Sequence, residues 1–194
     1  EIAEVCRKTD RRLWQYALEG EGEGLVSYME DIWQAMKEAV RRGLEDKGIL
    51  PGGLQVVKKA KQLYERRHID ESAETKENRL VCAYAFAVSE QNASGERIVT
   101  APTCGASGVL PAVLYYQQQK RGYTDEAMIQ ALLTGGLIGN LIKTNGSISG
   151  AECGCQAEIG SACAMGAALY AWILGLNNSL IEYAAERGLE HNLG

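Results

Sequence analysis

A membrane-spanning helix needs about 18 or more consecutive apolar residues, and this chain has no such run. Its start, EIAEVCRKTD, lacks the apolar centre of a secretory signal and an initiator methionine, which reads as a trimmed chain rather than an exported one. Excess positive charge is absent too. The 20 Lys and Arg stand against 25 Asp and Glu, a formal net charge of −5, which argues against a nucleic-acid partner. The basic groups that do occur, Arg11-Arg12, Arg41-Arg42 and Lys58–Lys61, sit beside acids and read as solvated helix faces. Histidine is scarce: His68 and His191 are the whole supply, so neither an HxxxH pair nor a zinc-finger spacing can be formed. Six cysteines in 194 residues are too few to staple a small disulfide scaffold and point to a cytoplasmic compartment. No internal repeat or low-complexity tract is present.

What the chain does have is helical periodicity. Val26, Met29, Ile32, Trp33, Met36 and Val40 recur at three and four residues and define one apolar helix face. Ser27 and Glu30 have the spacing of a capping box at its start. The charged breaker EGEGEG precedes it, and an earlier helix carries Val5, Cys6, Leu13 and Tyr16-Ala17. Pro51, Gly52 and Gly53 interrupt KGILPGGLQV, after which a short helix places Leu54, Val57 and Tyr64 on one side. Residues 68–78, HIDESAETKEN, read as a polar linker, followed by a helix through Leu80, Tyr84, Ala87 and Val88. ERIVTAP is the one credible strand.

The second half is dominated by small residues: TAPTCGASG, LLTGGLIGN, NGSISGAECG and SACAMGAA. Helices with small residues all round are central helices that neighbours approach closely. Ser179 and Glu182 have the spacing to cap a last helix carrying Leu180-Ile181, Ala184 and Leu189. The expected architecture is all-α. It is a single helical domain over 1–194, with a central cluster of small-residue helices and Gly-rich site loops.

Three of those loops concentrate chemistry. In TAPTCGASG, Thr100, Thr103 and Ser107 offer hydroxyls, while Gly105 and Gly108 expose backbone amides. A helix starting near Ala106 would add its own free N–H groups, which suits a carboxylate as well as an ordinary cap. In KTNGSISGAE, Lys143, Asn145, Ser147, Ser149 and Glu152 are dense for a segment flanked by apolar runs; such groups form either a satisfied network or a binding surface. Lys143 has the chemistry of a Schiff-base lysine, but no motif for pyridoxal phosphate accompanies it. The third loop sets Cys153 and Cys155 two residues apart. Two thiols do not complete a tetrahedral metal site. Cys163 lies eight residues further, roughly 12 Å along a helix, too far to join them. A disulfide, a metal ligand taken with groups elsewhere, and tight packing all remain open at this point. Cys6, Cys82 and Cys163, among apolar or helical neighbours, read as small buried hydrophobes. His191, near the chain end, reads as an exposed side chain or as a proton carrier.

Taken in order, ILPGGL, RIVTAPTCGASGVLPAVL, NGSISGAECGCQAEIGSACAMGAA and AAERGLEHNLG resemble the alpha chain or domain of iron–sulfur L-serine dehydratases. The resemblance runs from about Trp33 to Gly194. It implies deamination of L-serine to pyruvate and ammonia by a [4Fe–4S] cluster acting as a Lewis acid, without pyridoxal phosphate. It also implies a beta chain or beta domain as partner and allows a homo-oligomer. The GCQ element places one cluster thiolate on Cys155. Cys153 stands where related sequences carry an apolar residue, and Cys104 where asparagine is common. The further cluster cysteines of the family lie beyond EHNLG, where this chain stops. The resemblance therefore implies an incomplete, cluster-free fragment that is inactive alone.

In the activity so implied, Thr103 and the Gly105 amide hold the serine carboxylate. Ser147, Ser149 and Glu152 surround the polar end of the substrate. His191 moves or orients a proton, with Lys143 as the competing choice. Two other readings fit the same residues: a helical interaction domain whose Gly/Ala centre packs against a partner, and an iron–sulfur lyase for a related amino acid such as threonine.

Overall fold

The computed structural model describes residues 1–22, 24–67 and 69–192. Glu23 of the breaker, His68 at the head of the polar segment, and Leu193 and Gly194 of EHNLG lie outside them. Among the described residues the fold is all-α: ten helices and no β-strand, with a lone antiparallel bridge between Ile49 and Val57. No helix among the described residues is long and apolar enough to cross a membrane. The chain divides into two compact units, Glu1–Trp33 with Tyr123–Gly194, and Gln34–Gly122.

The first unit contains α1 (Ile2–Lys8), α2 (Leu13–Glu21), the start of α3 (Gly24–Glu45), α7 (Asp125–Asn145), α8 (Gly150–Cys153), α9 (Cys155–Ile173) and α10 (Asn178–Glu190). Its centre is α9, which buries Gly160, Ser161, Ala162, Ala164, Met165, Gly166, Ala168, Leu169 and Ala171. So many small residues on several faces let neighbours close in on it. A methyl group at Gly188 of α10 would come within 2.8 Å of the Cys163 carbonyl oxygen and 3.0 Å of Ala164 Cα. One at Gly135 of α7 would reach 3.0 Å from the Met165 carbonyl oxygen, with Leu169 just beyond. Gly139 faces the thioether end of Met165, and Gly160 faces Leu189 and Asn192. These pairings run α7 and α10 antiparallel to α9, so the ends of both collect at its beginning. Around that seam Cys6, Leu13, Ile138, Ala164, Ala168, Ala171, Ile181 and Ala185 form one apolar core.

The second unit holds the rest of α3 with α4 (Ala60–Glu65), α5 (Ala73–Ala93) and α6 (Val109–Arg121). Ala39 and Val40 of α3 pack with Tyr84 and Val88 of α5 and Ala112 and Tyr116 of α6. Burial beside Tyr64 and Tyr115 pushes the Tyr84 hydroxyl up to about 12.

Several local expectations are corrected. The first helix is two, separated at Asp10, whose φ of 51° turns the chain. Helix α3 starts at Gly24, so Ser27 and Glu30 lie within it and cap nothing. The cap of α10 is Asn177, whose Oδ1 accepts from Leu180 N at 3.0 Å, rather than Ser179. Only Ala60–Glu65 of the segment after Pro51 is helical, and Leu54 stands 89% exposed. The polar stretch becomes helix from Ala73, because Ser72 accepts from Thr75 N at 3.1 Å. Ahead of it Glu71 pairs with the nearly buried Arg79, Nε to Oε1 at 2.6 Å and Nη2 to Oε2 at 2.8 Å. ERIVTAP is irregular; an isolated extended segment has no neighbour to satisfy its backbone, and Ile98 packs on the helical core instead. Cys6 is buried as expected, but Cys82 is exposed and Cys163 half-buried.

Of the basic groups read as solvated helix faces, Arg42 pairs with Glu38 on α3, whereas Arg11 pairs with Glu19 from the turn before α2, and Lys58 is buried outside any helix, against Asp46. Lys58 closes the excursion that carries ILPGGL, where Leu50 N donates to Val56 O at 2.8 Å and Lys58 N to Gly48 O at 2.9 Å. Its hydrogen bond holds the Asp46 carboxyl below the ordinary 3.8. A carboxyl lowered in the folded state stabilises above its unfolded pKa, and that contribution disappears as pH falls through the folded value. Lys58→Met is therefore expected to lower stability at pH 7 and to flatten its decline below about pH 4. Parallel acid limbs in the two proteins, measured by denaturant melts between pH 7 and pH 2, would contradict this.

Candidate functional site

Each unit carries one of the loops that the sequence singles out. In the second unit, residues 100–108 lead into α6. The Ala101–Pro102 peptide is cis. Helix α6 begins at Val109, three residues later than Ala106, because Ala106 and Ser107 are taken up in a preceding turn. In that turn Thr103 Oγ1 accepts from Ala106 N at 3.4 Å. Ser107, fully buried, donates its hydroxyl to the Cys104 carbonyl oxygen at 2.7 Å. The same oxygen accepts from Asn92 Nδ2 at 3.3 Å. Ser107 is thus a structural hydroxyl that pins the Cys104 backbone. The Cys104 thiol stays exposed, 3.9 Å from Thr100 Oγ1, and Gly105 is exposed beside it.

In the first unit, residues 143–155 connect α7 to α9. Asn145 ends α7 by donating Nδ2 to Leu141 O at 2.9 Å. Ser147 then donates its hydroxyl to Glu152 Oε2 and accepts from Ser149 N at 3.0 Å. One short hydroxyl thereby ties both ends of the turn together. Helix α8 closes on Ser149 O, which accepts from Cys153 N at 2.9 Å. Gly154, at φ 83° and ψ 163°, reverses the chain so that α9 starts at once. Cys153, the last residue of α8, and Cys155, the first of α9, are both exposed and form no disulfide. Cys155 occupies a helix start, where the aligned peptide dipoles favour a negatively charged ligand group.

The antiparallel packing brings more of the predicted residues to this end. Lys143 is exposed on the last turn of α7, one turn beyond Gly139. His191 is the exposed C-cap of α10, next to Asn192, which lies over Gly160 of α9. From Gly160 back to Cys155 is about 7.5 Å along the helix axis. Lys143, Ser147, Ser149, Glu152, Cys155 and His191 therefore share the α9 end of the first unit, whereas Thr103 and Gly105 belong to the second. Among the described residues no three His, Cys, Asp or Glu side chains form a group able to hold a metal ion.

One residue of this end escaped the sequence reading. Glu158 sits in the first turn of α9, three residues after Cys155, and its Oε2 lies 2.8 Å from where a Gly150 Cβ would stand. The signal was present in GCQAE, because residues at i and i+3 share a helix face.

The family described as the serine dehydratase alpha chain matches residues 1–194, and the chain belongs to it. Among curated relatives, an L-serine dehydratase of Streptomyces coelicolor is 42% identical over 204 residues, covering 100% of this chain and 44% of that protein. One of Haemophilus influenzae is 44% identical over 184 residues, covering 93% and 40% respectively. L-serine dehydratase 1 of Escherichia coli is 39% identical over 205 residues, covering 100% and 45%. The chain spans less than half the length of these relatives.

The geometry at Gly154 yields a direct test. Its φ of 83° with ψ of 163° is a conformation essentially reserved for glycine. Gly154→Ala is expected to destabilise the protein by about 1–3 kcal/mol, read as a lower denaturation midpoint at unchanged m. An unaltered midpoint would mean that the α8–α9 reversal relaxes without strain.

Proposed function

We propose that this chain is the alpha part of a lyase that deaminates L-serine to pyruvate and ammonia, with a [4Fe–4S] cluster and without pyridoxal phosphate. The carrying observation is the family match over the whole chain. The position of Cys155, exposed at the start of α9 beside the Ser147–Glu152 hydrogen bond, supports it. Cys155 suits one iron ligand. The described residues do not gather the remaining ligands. When bound, such a cluster supplies a Lewis acid for the serine C3 hydroxyl.

The chain's own groups divide the other tasks. Removing the C2 proton needs a base within hydrogen-bond reach. Glu152 is the first choice in the α9-end cluster: Ser147 engages its Oε2 and so orients the carboxylate. His191 and Lys143, exposed at the same end, are the alternatives for moving or orienting that proton. Ser149 lines the same turn. In the second unit, Thr103 and the Gly105 amide are the groups suited to a carboxylate. Loss of the C2 proton and the C3 hydroxyl leaves an aminoacrylate, which tautomerises to an imine and hydrolyses to pyruvate and ammonia with no redox change. The setting is amino-acid catabolism in the cytoplasm, with a beta chain or domain as partner and the option of a homo-oligomer.

The test measures iron and pyruvate formation on one sample of the full-length protein, purified without oxygen. Cys155→Ser is expected to lose both, whereas Cys153→Ala keeps most of each; iron retained in Cys155→Ser would remove it as a ligand. Thr103→Val is expected to raise the KM for L-serine about tenfold or more with kcat largely kept, as for a lost hydrogen bond to a charged group. An unchanged KM would take Thr103 out of the pocket. L-Threonine, assayed alongside, differs by one methyl group, which a pocket discriminates by only about 10–200-fold.

A further inference from the structure

We infer that Glu158 is a positioning residue for the reaction: its carboxylate, seated over Gly150, sets the angle between the α8 turn and the start of α9. With it is set the placement of Glu152 and Ser147 relative to Cys155. The inference rests on the lyase reading for its functional part and on geometry alone for its structural part.

Helical side chains lean back toward the helix N-terminus, so Glu158 reaches over the first turn of α9 toward the segment before it. What it meets there is Gly150. A Cβ on Gly150 would stand 2.8 Å from Glu158 Oε2, with Cys155 Cα and N at 3.8 and 3.9 Å. Gly150, Cys155 and the Glu158 carboxylate thus occupy one small volume, and the absence of a side chain at 150 makes room for the carboxylate. Gly150 is also the hinge end of α8, since its carbonyl oxygen accepts from Gly154 N at 3.0 Å. Two residues on, Glu152 holds Ser147. A four-residue turn closed by the Cys153 N–Ser149 O and Gly154 N–Gly150 O hydrogen bonds carries a tilt at its first residue to its third. Glu158, in the first turn of α9, is also where a negative charge is favoured by the helix dipole, so the carboxylate is stable in that seat. It acts through the turn it supports.

The expected behaviour follows from shape. Glu158→Gln keeps length and form and is expected to retain most of kcat. Glu158→Ala empties the seat, and kcat is expected to fall about 10–100-fold at similar KM, the cost of a group misplaced by about an ångström. Gly150→Ala places a methyl where the flexible end of Glu158 rests, displaces the carboxylate from its seat and is expected to lose as much. Glu158→Asp draws the carboxylate back by one methylene, so Gly150→Ala combined with Glu158→Asp is expected to recover at least about tenfold over Gly150→Ala alone.

The experiment is this variant set in the full-length protein. kcat and KM are read for L-serine deamination, and amide hydrogen exchange over 149–157 is read on the iron-free protein. Exchange there is expected to quicken about tenfold or more in Glu158→Ala and Gly150→Ala, to stay near wild type in Glu158→Gln, and to slow again in the double variant. Wild-type exchange in Glu158→Ala, or no recovery in the double variant, would overturn the seat. Altered exchange with unchanged kcat would overturn the positioning role. If the wild-type protein shows no serine deamination while the exchange pattern holds, the lyase reading falls and the Gly150–Glu158 seat remains.

Discussion

The close approach of α7 and α10 to α9 is the constraint on which the first unit depends. At Gly188 the α10 backbone lies against the Cys163 carbonyl, and at Gly135 the α7 backbone lies against that of Met165. No side chain larger than hydrogen fits between these surfaces without displacing a main chain. In return, the flanking alanines of α9 make close dispersion contacts along the seam, each small and collectively large. Close packing also fixes register. A helix seated on glycine cannot slide by a residue without placing a side chain against backbone.

That fixed register gathers polar residues from distant parts of the chain. Because α7 and α10 both run antiparallel to α9, the last turn of one and the C-cap of the other arrive where α9 begins. Lys143, His191 and Cys155 are separated by up to 48 positions in sequence and share that end through helix packing alone. The connection between α7 and α9 is too short to wander, and Gly154 reverses it within a single residue. The polar turn from Ser147 to Glu152 is consequently presented at the surface with its hydrogen bonds made internally. The orientation of the Glu152 carboxylate is thereby set within the turn itself.

The 100–108 loop of the second unit follows the same logic with different parts. Ser107 gives its hydroxyl to the Cys104 carbonyl, and Asn92 adds a second donor. The loop backbone is held from beneath, while Gly105 and the Cys104 thiol face outward. The hydroxyl chemistry visible in TAPTCGASG is therefore divided. Ser107 supports the loop from beneath, and Thr103 accepts from Ala106 N within its turn.

Much of this was legible in the residues themselves. Period-3.6 apolar faces, small-residue runs and ordered motifs specify an all-α fold with a central Gly/Ala helix, because helix periodicity and close packing are written locally. Tertiary structure decided the rest. Ser27 and Ser179 have the spacing of caps, yet the helices begin earlier, at Gly24 and after Asn177, whose own side chain caps α10. ERIVTAP has β-forming residues but no strand to pair with. Glu158 looks like an ordinary first-turn acid until α8 folds back and places Gly150 beneath it. Pattern settles which elements form, since it depends on neighbours in sequence; caps, pairing and the Gly150–Glu158 seat depend on neighbours that only the folded chain supplies.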